Sequence, residues 1–200
     1  MAQHSRQPTR YRLQRGISLI EILVTTIVFS IGVLGIVSLN GVSKRSSYES
    51  VQRSTASQLS YALLEEMRSN STALATYLAA GNLGGGSRGA EPAPNCSDPL
   101  VPCSAEEIAA HSLWDWERAL DGARELSAGV GVGGLVSPTT CIAGPVGGVA
   151  GIYTVTIAWR GNLELDQIGG TNCGTASGLY GPGDVFRRTV VVRTFIDPAI

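Results

Sequence analysis

The sequence predicts an α+β fold in which a long N-terminal helix packs on a C-terminal antiparallel sheet. An apolar run over residues 17–39 continues into a polar stretch that keeps a helical pattern to Arg68. A second helical pattern begins after Ser104, and two segments of alternating side chains follow at 152–160 and 187–196. Helices that precede strands along the chain are typical of this fold class.

The apolar run over 17–39 predicts a helix that spans a membrane. A helix of this length covers roughly 30 Å, the thickness of the hydrocarbon core. Its single charge is Glu21, and a carboxylate at such a depth costs about 2.5 kcal/mol or more, so Glu21 requires a partner or a function. The basic residues that precede the run predict a cytoplasmic N-terminus and an outward-facing body: Arg6, Arg10, Arg12 and Arg15. Lys44 and Arg45, on the far side, weaken this asymmetry without reversing it.

Two ordinary kinds of N-terminal segment, a secretory signal peptide and a plain signal anchor, are alternatives to a segment in which Glu21 has a function. A secretory signal peptide has a shorter apolar core followed by a small-residue cleavage site, and residues 37–40 match such a site poorly. A plain signal anchor fits the length, but it gives no reason for a carboxylate at Glu21. The anchor therefore remains the alternative hypothesis.

Beyond Asn40 the first helix is expected to depend on tertiary packing, because its many serines lower helix propensity. Larger residues that recur at three-, four- and five-residue steps predict one packed face: Tyr48, Val51, Thr55, Leu59, Ala62 and Met67.

The segment 81–89 is rich in glycine and lacks the Gly-Lys-Ser/Thr signature of a phosphate-binding loop, which predicts a flexible connector. Ser104 and Glu107 then have the spacing of a capping box. The helix that they start is predicted to end at Gly122 and to present one apolar face: Ala109, Leu113, Trp116 and Leu120.

Strand patterns come late in the chain. Over 152–160, apolar and aromatic residues alternate with smaller or polar ones, which predicts a half-buried strand. A second strand is predicted over 187–196, with Val190, Val192 and Ile196 on one side. Weaker candidates lie at 130–136 and 141–146.

Four cysteines in a chain directed outward predict two disulfides, for which three pairings exist. The favoured pairing joins Cys96 to Cys103, whose short separation closes a loop easily, and leaves Cys141 with Cys173. A zinc site is disfavoured because Cys-x-x-Cys spacing and histidine partners are missing. No metal or cofactor is predicted.

The composition favours a structural or interaction protein over an enzyme. His111 is the one histidine beyond residue 16, and it is predicted to be a surface or half-buried residue. Ser177 lacks the Gly-x-Ser-x-Gly spacing of a nucleophile elbow. The four arginines of residues 1–16 contribute +4 to a formal net charge of −1, so the rest carries −5. That balance gives no support to nucleic-acid binding.

The residues Gly16-Ile17-Ser18-Leu19-Ile20-Glu21, between a basic stretch and an apolar run, resemble the N-terminus of a type IV prepilin. The resemblance implies that a membrane-embedded prepilin peptidase cuts after Gly16 and methylates Ile17. Most members of this group carry Phe after the cut, and Ile17 departs from that pattern. The resemblance also implies that Glu21 pairs with the N-terminal ammonium of a neighbouring subunit. Gly32 and Gly35 fit either close packing of membrane helices or local unwinding on assembly.

The outer region is similar to the type IV pilus modification protein PilV family. The resemblance rests on three features. One is the pair Cys96 and Cys103, which precedes the predicted helix containing Asp115-Trp116. The other two are the predicted strand segments 153–159 and 187–192. It implies a minor pilin with a leader (1–16), a transmembrane and assembly helix (17–39) and a pilin-like periplasmic domain (40–200).

The resemblance also implies a location and partners. The protein would reside in the inner membrane and then in the pilus, with the membrane lipid, the peptidase, other minor pilins and the major pilin as partners. The alternatives are a minor pseudopilin of type II secretion and a plain membrane-anchored periplasmic protein.

Overall fold

The computed structural model describes residues 16–123, 126–127, 130–131, 133–165 and 170–199. The predicted leader lies outside this part of the chain except for Gly16. The helices are α1 (Leu19–Ser69), α2 (Leu74–Leu78) and α3 (Ala105–Leu120). The strands are β1 (Leu126–Ser127), β2 (Val130–Gly131), β3 (Thr139–Ala143), β4 (Gly151–Arg160) and β5 (Arg187–Ile196). The chain divides into two compact units, Met1–Lys44 and Arg45–Ile200.

The main sheet has the order β3-β4-β5, and both pairs of neighbours are antiparallel. Cys141 lies opposite Thr156, and Trp159 lies opposite Arg188. The predicted α+β class and both predicted long strands are confirmed. The weaker candidates are confirmed only in part, because the strand predicted at 141–146 is β3, which begins at Thr139 and ends at Ala143. Among the described residues of 130–136, which leave out 132, only Val130–Gly131 form a strand, β2.

The second half of α1 packs in the core through a different face from the one predicted. The buried residues of α1 are Gln52, Ala56, Ser60, Leu63, Leu64 and Met67. Of the predicted face only Met67 belongs to this set, whereas Val51 is 59% exposed. The hydrophobic pattern does not identify the buried face because two of its residues, Gln52 and Ser60, are polar and hydrogen bonded. The Gln52 amide donates to Gly134 O at 3.2 Å and accepts from Val136 N–H at 3.3 Å, while Ser60 Oγ donates to Ala56 O.

The second predicted helix is confirmed as α3, including its capping box. Ser104 Oγ accepts the Glu107 N–H, and the Glu107 carboxylate accepts the Ser104 N–H in return. The four residues of the predicted apolar face are all buried. After α3 ends, Gly122 takes a φ of +77°, and a Cβ there would lie 2.2 Å from Gly134 N. A glycine is therefore required at position 122, because any side chain there would collide with the backbone of Gly134.

Strand β4 is buried on both faces over part of its length, rather than half-buried throughout. The inner face carries Tyr153, Val155, Ile157 and Trp159, which are at most 1% exposed. On the outer face Thr156 and Ala158 are buried as well. Tyr180 covers this end of the sheet, because its Oη donates to Thr139 Oγ1 at 2.8 Å and lies 3.5 Å from Ala158 O.

Two disulfides connect the cysteines, Cys96–Cys103 and Cys141–Cys173, which is the pairing favoured from the sequence. The first closes a loop of sequence separation 7 just before α3, and the second a loop of separation 32. The second disulfide joins the segment around Cys173 to β3, which contains Cys141.

Removing the Cys141–Cys173 disulfide is expected to destabilise the fold more than removing Cys96–Cys103. Loop-closure entropy gives about 4 kcal/mol for the longer loop and about 2 kcal/mol for the shorter one. The double variants Cys141→Ala/Cys173→Ala and Cys96→Ala/Cys103→Ala are matched in chemistry, so denaturant unfolding of the full chain compares them directly. An equal loss of unfolding free energy would contradict the entropic ranking.

Candidate assembly segment

Helix α1 begins at a cap that Ser18 provides. The Glu21 N–H lies 3.0 Å from Ser18 O and 3.3 Å from Ser18 Oγ, so the serine side chain satisfies one free amide of the first turn. Glu21 therefore sits in the first turn of α1, where the helix dipole favours a carboxylate. This cap is recognisable in the sequence, because Ser18-x-x-Glu21 has the same spacing as the capping box of α3.

The residues around the predicted cleavage site are open to the surroundings. Gly16 and Glu21 are exposed, and Ile17 is 72% exposed. Within residues 16–44 no charged side chain forms an ion pair with the Glu21 carboxylate. Hence no described charge of this unit neutralises the carboxylate.

The surface of α1 between Leu19 and Val42 is exposed all round and mostly apolar, with Glu21 as its one charged residue. Among the described residues, α1 is the one helix long and apolar enough to cross a membrane, and none of its most apolar window is buried. A helix that is apolar on every side is suited to lipid or to other apolar helices. By length and composition the segment thus fits a single-pass membrane anchor.

Three hydroxyl side chains inside this segment are satisfied within the helix. The hydroxyls of Thr25, Thr26 and Ser30 donate to backbone carbonyls three or four residues earlier, at 2.9, 2.6 and 2.7 Å. These bonds lower the cost of placing hydroxyls in hydrocarbon. A Cβ at Gly32 or Gly35 would meet no atom within 4 Å. Packing against other helices and local unwinding both stay open for these glycines.

The histidine and the serine considered for catalysis have different hydrogen-bond partners. His111 is 7% exposed, so the prediction of a surface or half-buried residue is wrong. Its Nε2 lies 3.1 Å from Glu91 Oε1 and 3.3 Å from Ser97 Oγ, which explains how a polar ring is buried there. Ser177 is exposed, and its Oγ accepts the Leu179 N–H. In the described residues no three His, Cys, Asp or Glu side chains group as a metal site.

The glycine-rich segment 81–89 is a fixed loop, not the flexible connector that the sequence predicted. The Glu117 carboxylate is 2% exposed and accepts N–H bonds from Gly84 at 2.6 Å, Ser87 at 3.0 Å and Arg88 at 2.7 Å. The Ser87 hydroxyl donates to it as well. Asp121 accepts two further amides of the loop, those of Gly85 and Gly86. The loop is therefore anchored on α3 through carboxylates.

These hydrogen bonds decide the ionisation of Glu117. Burial by itself raises the pKa of the Glu117 carboxyl, but the hydrogen bonds from Ser87, Gly84 and Arg88 outweigh it and hold the pKa below its usual value. Glu117 is thus a buried carboxylate that stays charged to stabilise a loop. Glu117 is not among the four residues predicted for the apolar face of α3, so its burial was not foreseen from the sequence.

Comparison with known proteins assigns the N-terminal segment. Residues 11–37 match the prokaryotic N-terminal methylation motif, a range that contains Gly16, Ile17 and Glu21. No curated protein and no solved structure matches the chain. The match covers far less than half of the sequence, so it characterises the N-terminal segment and leaves the family of the outer domain open.

Proposed function

We propose that this chain, whose N-terminal methylation motif supports a type IV pilin- or pseudopilin-like protein, is a minor pilin of a type IV pilus. The observation that carries the proposal is the motif at 11–37. It coincides with the exposed apolar segment of α1 from Leu19 to Val42, whose one carboxylate, Glu21, has no ion-pair partner among residues 16–44. A subunit that inserts this helix among those of its neighbours buries both the apolar surface and the charge.

In this proposal prepilin peptidase cuts between Gly16 and Ile17 and methylates the new terminus. The ammonium of a mature subunit then pairs with Glu21 of its neighbour. Inside a helical bundle this attraction is strong, but desolvation of both charges offsets it. The pair consequently sets the register of subunits more than it adds to filament stability.

The minor role and the PilV family are proposed from the outer domain. The shared features are the disulfide before α3, the aromatic strand β4 and the closing strand β5. The subunit would prime or decorate the filament, with the major pilin and other minor pilins as partners and the inner membrane lipid as its environment before assembly. Nucleic acid is not among the proposed ligands, and no enzymatic activity is proposed.

A minor pseudopilin of type II secretion is the second candidate, because it shares the methylation motif and Glu21. A plain membrane-anchored periplasmic protein is the third. The genes that neighbour this one distinguish a pilus from a secretion system, whereas the processing of the N-terminus distinguishes both from a plain anchor.

The test is the intact mass and N-terminal sequence of the protein from cells with and without prepilin peptidase. We expect loss of residues 1–16 and a methylated Ile17 only when the peptidase is present. An uncut N-terminus in both strains would overturn the proposal in favour of a plain anchor.

Replacing Gly16 by valine is expected to block processing almost completely. A side chain before the cut crowds the peptidase, yet a Cβ at Gly16 meets no atom of this chain within 4 Å, so the fold itself is not strained. Gly41→Val is the matched control, since Gly41 is equally unobstructed. The measurement is again the intact mass, and processing of Gly16→Val at the wild-type level would contradict the assigned cleavage site.

A further inference from the structure

Strand β5 forms one edge of the main sheet, and over residues 189–195 this edge is open. Among the described strands β5 pairs with β4 alone. The opposite edge of the sheet is covered by the loop 81–89, because Thr140 of β3 exchanges two backbone hydrogen bonds with Leu83, at 2.8 and 3.0 Å. Within the part of the chain that the structure describes, no bridge of this kind covers β5. The open edge belongs to the compact unit Arg45–Ile200, so it does not involve the N-terminal segment.

The register of β5 identifies the backbone groups that lie along the open edge. The Gly161 N–H donates to Phe186 O at 2.8 Å, and from there the pairing of β4 with β5 continues without a bulge over the whole of β5. In an antiparallel ladder the backbone groups of alternate residues point to the same neighbouring strand. The even-numbered residues of β5 therefore bond to β4, whereas the N–H and C=O groups of Val191, Arg193 and Phe195 point to the open edge. Such a row of backbone donors and acceptors is a template for another extended polypeptide.

The open edge lacks the features that usually prevent strands from pairing. Natural edge strands are interrupted by proline, lysine or a β-bulge, whereas β5 contains neither proline nor lysine and pairs with β4 along all ten of its residues. Its surface is apolar as well, since Phe195 is 61% exposed and lies opposite Ile152, which is 62% exposed. Val191, on the same face as Phe195, is also exposed. An added strand therefore buries apolar side chains in addition to pairing backbone groups.

The charge of the open edge selects the kind of strand. Arg193 is exposed on the same face as Val191 and Phe195, and its neighbour on β4 is Thr154. The sequences of β3, β4 and β5 contain no Asp or Glu, so no acid on the sheet neutralises it. An opposite charge directly across a strand pair is stabilising, whereas a like charge is destabilising. A second copy of β5 offers no acid in any register, and the open edge therefore favours a different strand that carries Asp or Glu.

We propose that the open edge of β5 binds an extended segment of another polypeptide, which adds an antiparallel strand to the main sheet. The added strand places an acidic residue beside Arg193 and apolar residues beside Val191 and Phe195. Its backbone hydrogen bonds supply affinity, and its alternate side chains supply specificity. The antiparallel direction follows that of both strand pairs already in the sheet. The proposal rests on the outer unit alone and does not depend on how the N-terminus is processed.

Hydrogen exchange of individual backbone amides reports strand addition directly. The full chain, labelled with ¹⁵N in detergent micelles, is mixed with an excess of the synthetic peptide Thr-Val-Thr-Glu-Thr-Val-Thr, whose acid and flanking valines have the proposed spacing. We expect the amides of Val191, Arg193 and Phe195 to exchange about tenfold more slowly with the peptide, because hydrogen bonds along the open edge protect them. The amides of Val190 and Val192, which already bond to β4, should not change. No protection along the open edge would overturn the proposal.

Two methylated forms of the peptide test whether backbone pairing carries the binding. In the proposed register the N–H of the peptide's Glu faces β5, whereas the N–H of the following Thr points away. A methyl group on the Glu nitrogen should therefore abolish the protection, and the same group on the Thr nitrogen should leave it unchanged. Equal protection by the two methylated peptides would exclude the proposed strand pairing.

A charge exchange tests the role of Arg193. The wild type should bind the Glu peptide roughly threefold more tightly than its Lys counterpart, and Arg193→Glu should reverse this preference, the effect of one cross-strand charge pair. Arg193 is exposed, so the substitution leaves the fold intact. Arg53→Glu, at an exposed position of α1, makes the same change of charge away from the open edge and should keep the wild-type preference. Unchanged preference in Arg193→Glu would refute the acidic character of the added strand.

A second copy of the chain is the competing occupant of the open edge. Pairing between copies would slow exchange of the amides of Val191, Arg193 and Phe195 as the protein concentration rises, without any peptide. We expect their exchange to be independent of protein concentration. Protection that increases with concentration would assign the open edge to self-association and overturn the proposal.

Discussion

Glu117→Ala is expected to lower the free energy of unfolding by about 3 kcal/mol, because it leaves several buried donors without an acceptor. The side chain accepts three backbone N–H bonds and one hydroxyl bond from the loop 84–88. Urea unfolding of the full chain, followed by circular dichroism, measures the loss. Glu106→Ala is the control on the same helix, since Glu106 is exposed in the first turn, and it should cost less than about 1 kcal/mol.

The same residue predicts how stability depends on pH. The pKa of Glu117 is lower in the folded protein than in the unfolded chain. Its contribution is therefore complete above the unfolded pKa and is lost as the pH falls through the folded pKa. Glu117→Gln should flatten this acid limb of the stability curve. An acid limb as steep in Glu117→Gln as in the wild type would assign the pH dependence to other carboxylates.

Glu21→Ala is expected to reduce incorporation into filaments roughly tenfold or more. The substitution leaves the N-terminal ammonium of the neighbouring subunit buried without its counter-charge, which costs about 3–5 kcal/mol. The folded outer unit should be unaffected, since no described ion pair depends on the carboxylate. Immunoblots of sheared pili, compared with the amount in the membrane, measure incorporation. Thr25→Ala, one turn further along the helix, is the control.

The outcome of Glu21→Ala separates the pairing role from processing. Cleavage after Gly16 should continue in the variant, so that a loss of incorporation reflects assembly alone. Wild-type levels of Glu21→Ala in the filament would refute the pairing role and leave the cleavage assignment standing.

The elements of this fold were predictable where the signal is local. The capping residues Ser104 and Glu107 lie three positions apart, and the alternation that defines β4 occupies consecutive residues, so both can be recognised in a short window. The pairing of Cys96 with Cys103 follows from their small separation. Each of these features depends on neighbours along the chain.

The packed face of α1 was not predictable, because it depends on distant backbone. Gln52 is buried since Gly134 and Val136 offer it a carbonyl and an N–H across more than 80 residues of sequence. A hydrophobic pattern assigns such an amide to the solvent side. The same pattern assigned Val51 to the packed face, although Val51 is 59% exposed.

The register of β4 against β5 and the Glu117 anchor were missed for related reasons. The sequence predicts both strands but not the register that places Trp159 opposite Arg188. It shows a run of glycines at 84–86 but not that their amides converge on carboxylates of α3. Backbone N–H groups are present at almost every residue, so a site built from them leaves little trace in residue identity.

The anchored glycine loop also bears on how this protein is tagged. A short, polar, glycine-rich segment is where an epitope or fluorophore would ordinarily be inserted. Between Gly84 and Arg88 an insertion would separate amides that bind the same carboxylate. Leu100, which is 88% exposed in the loop before α3, is the better insertion point.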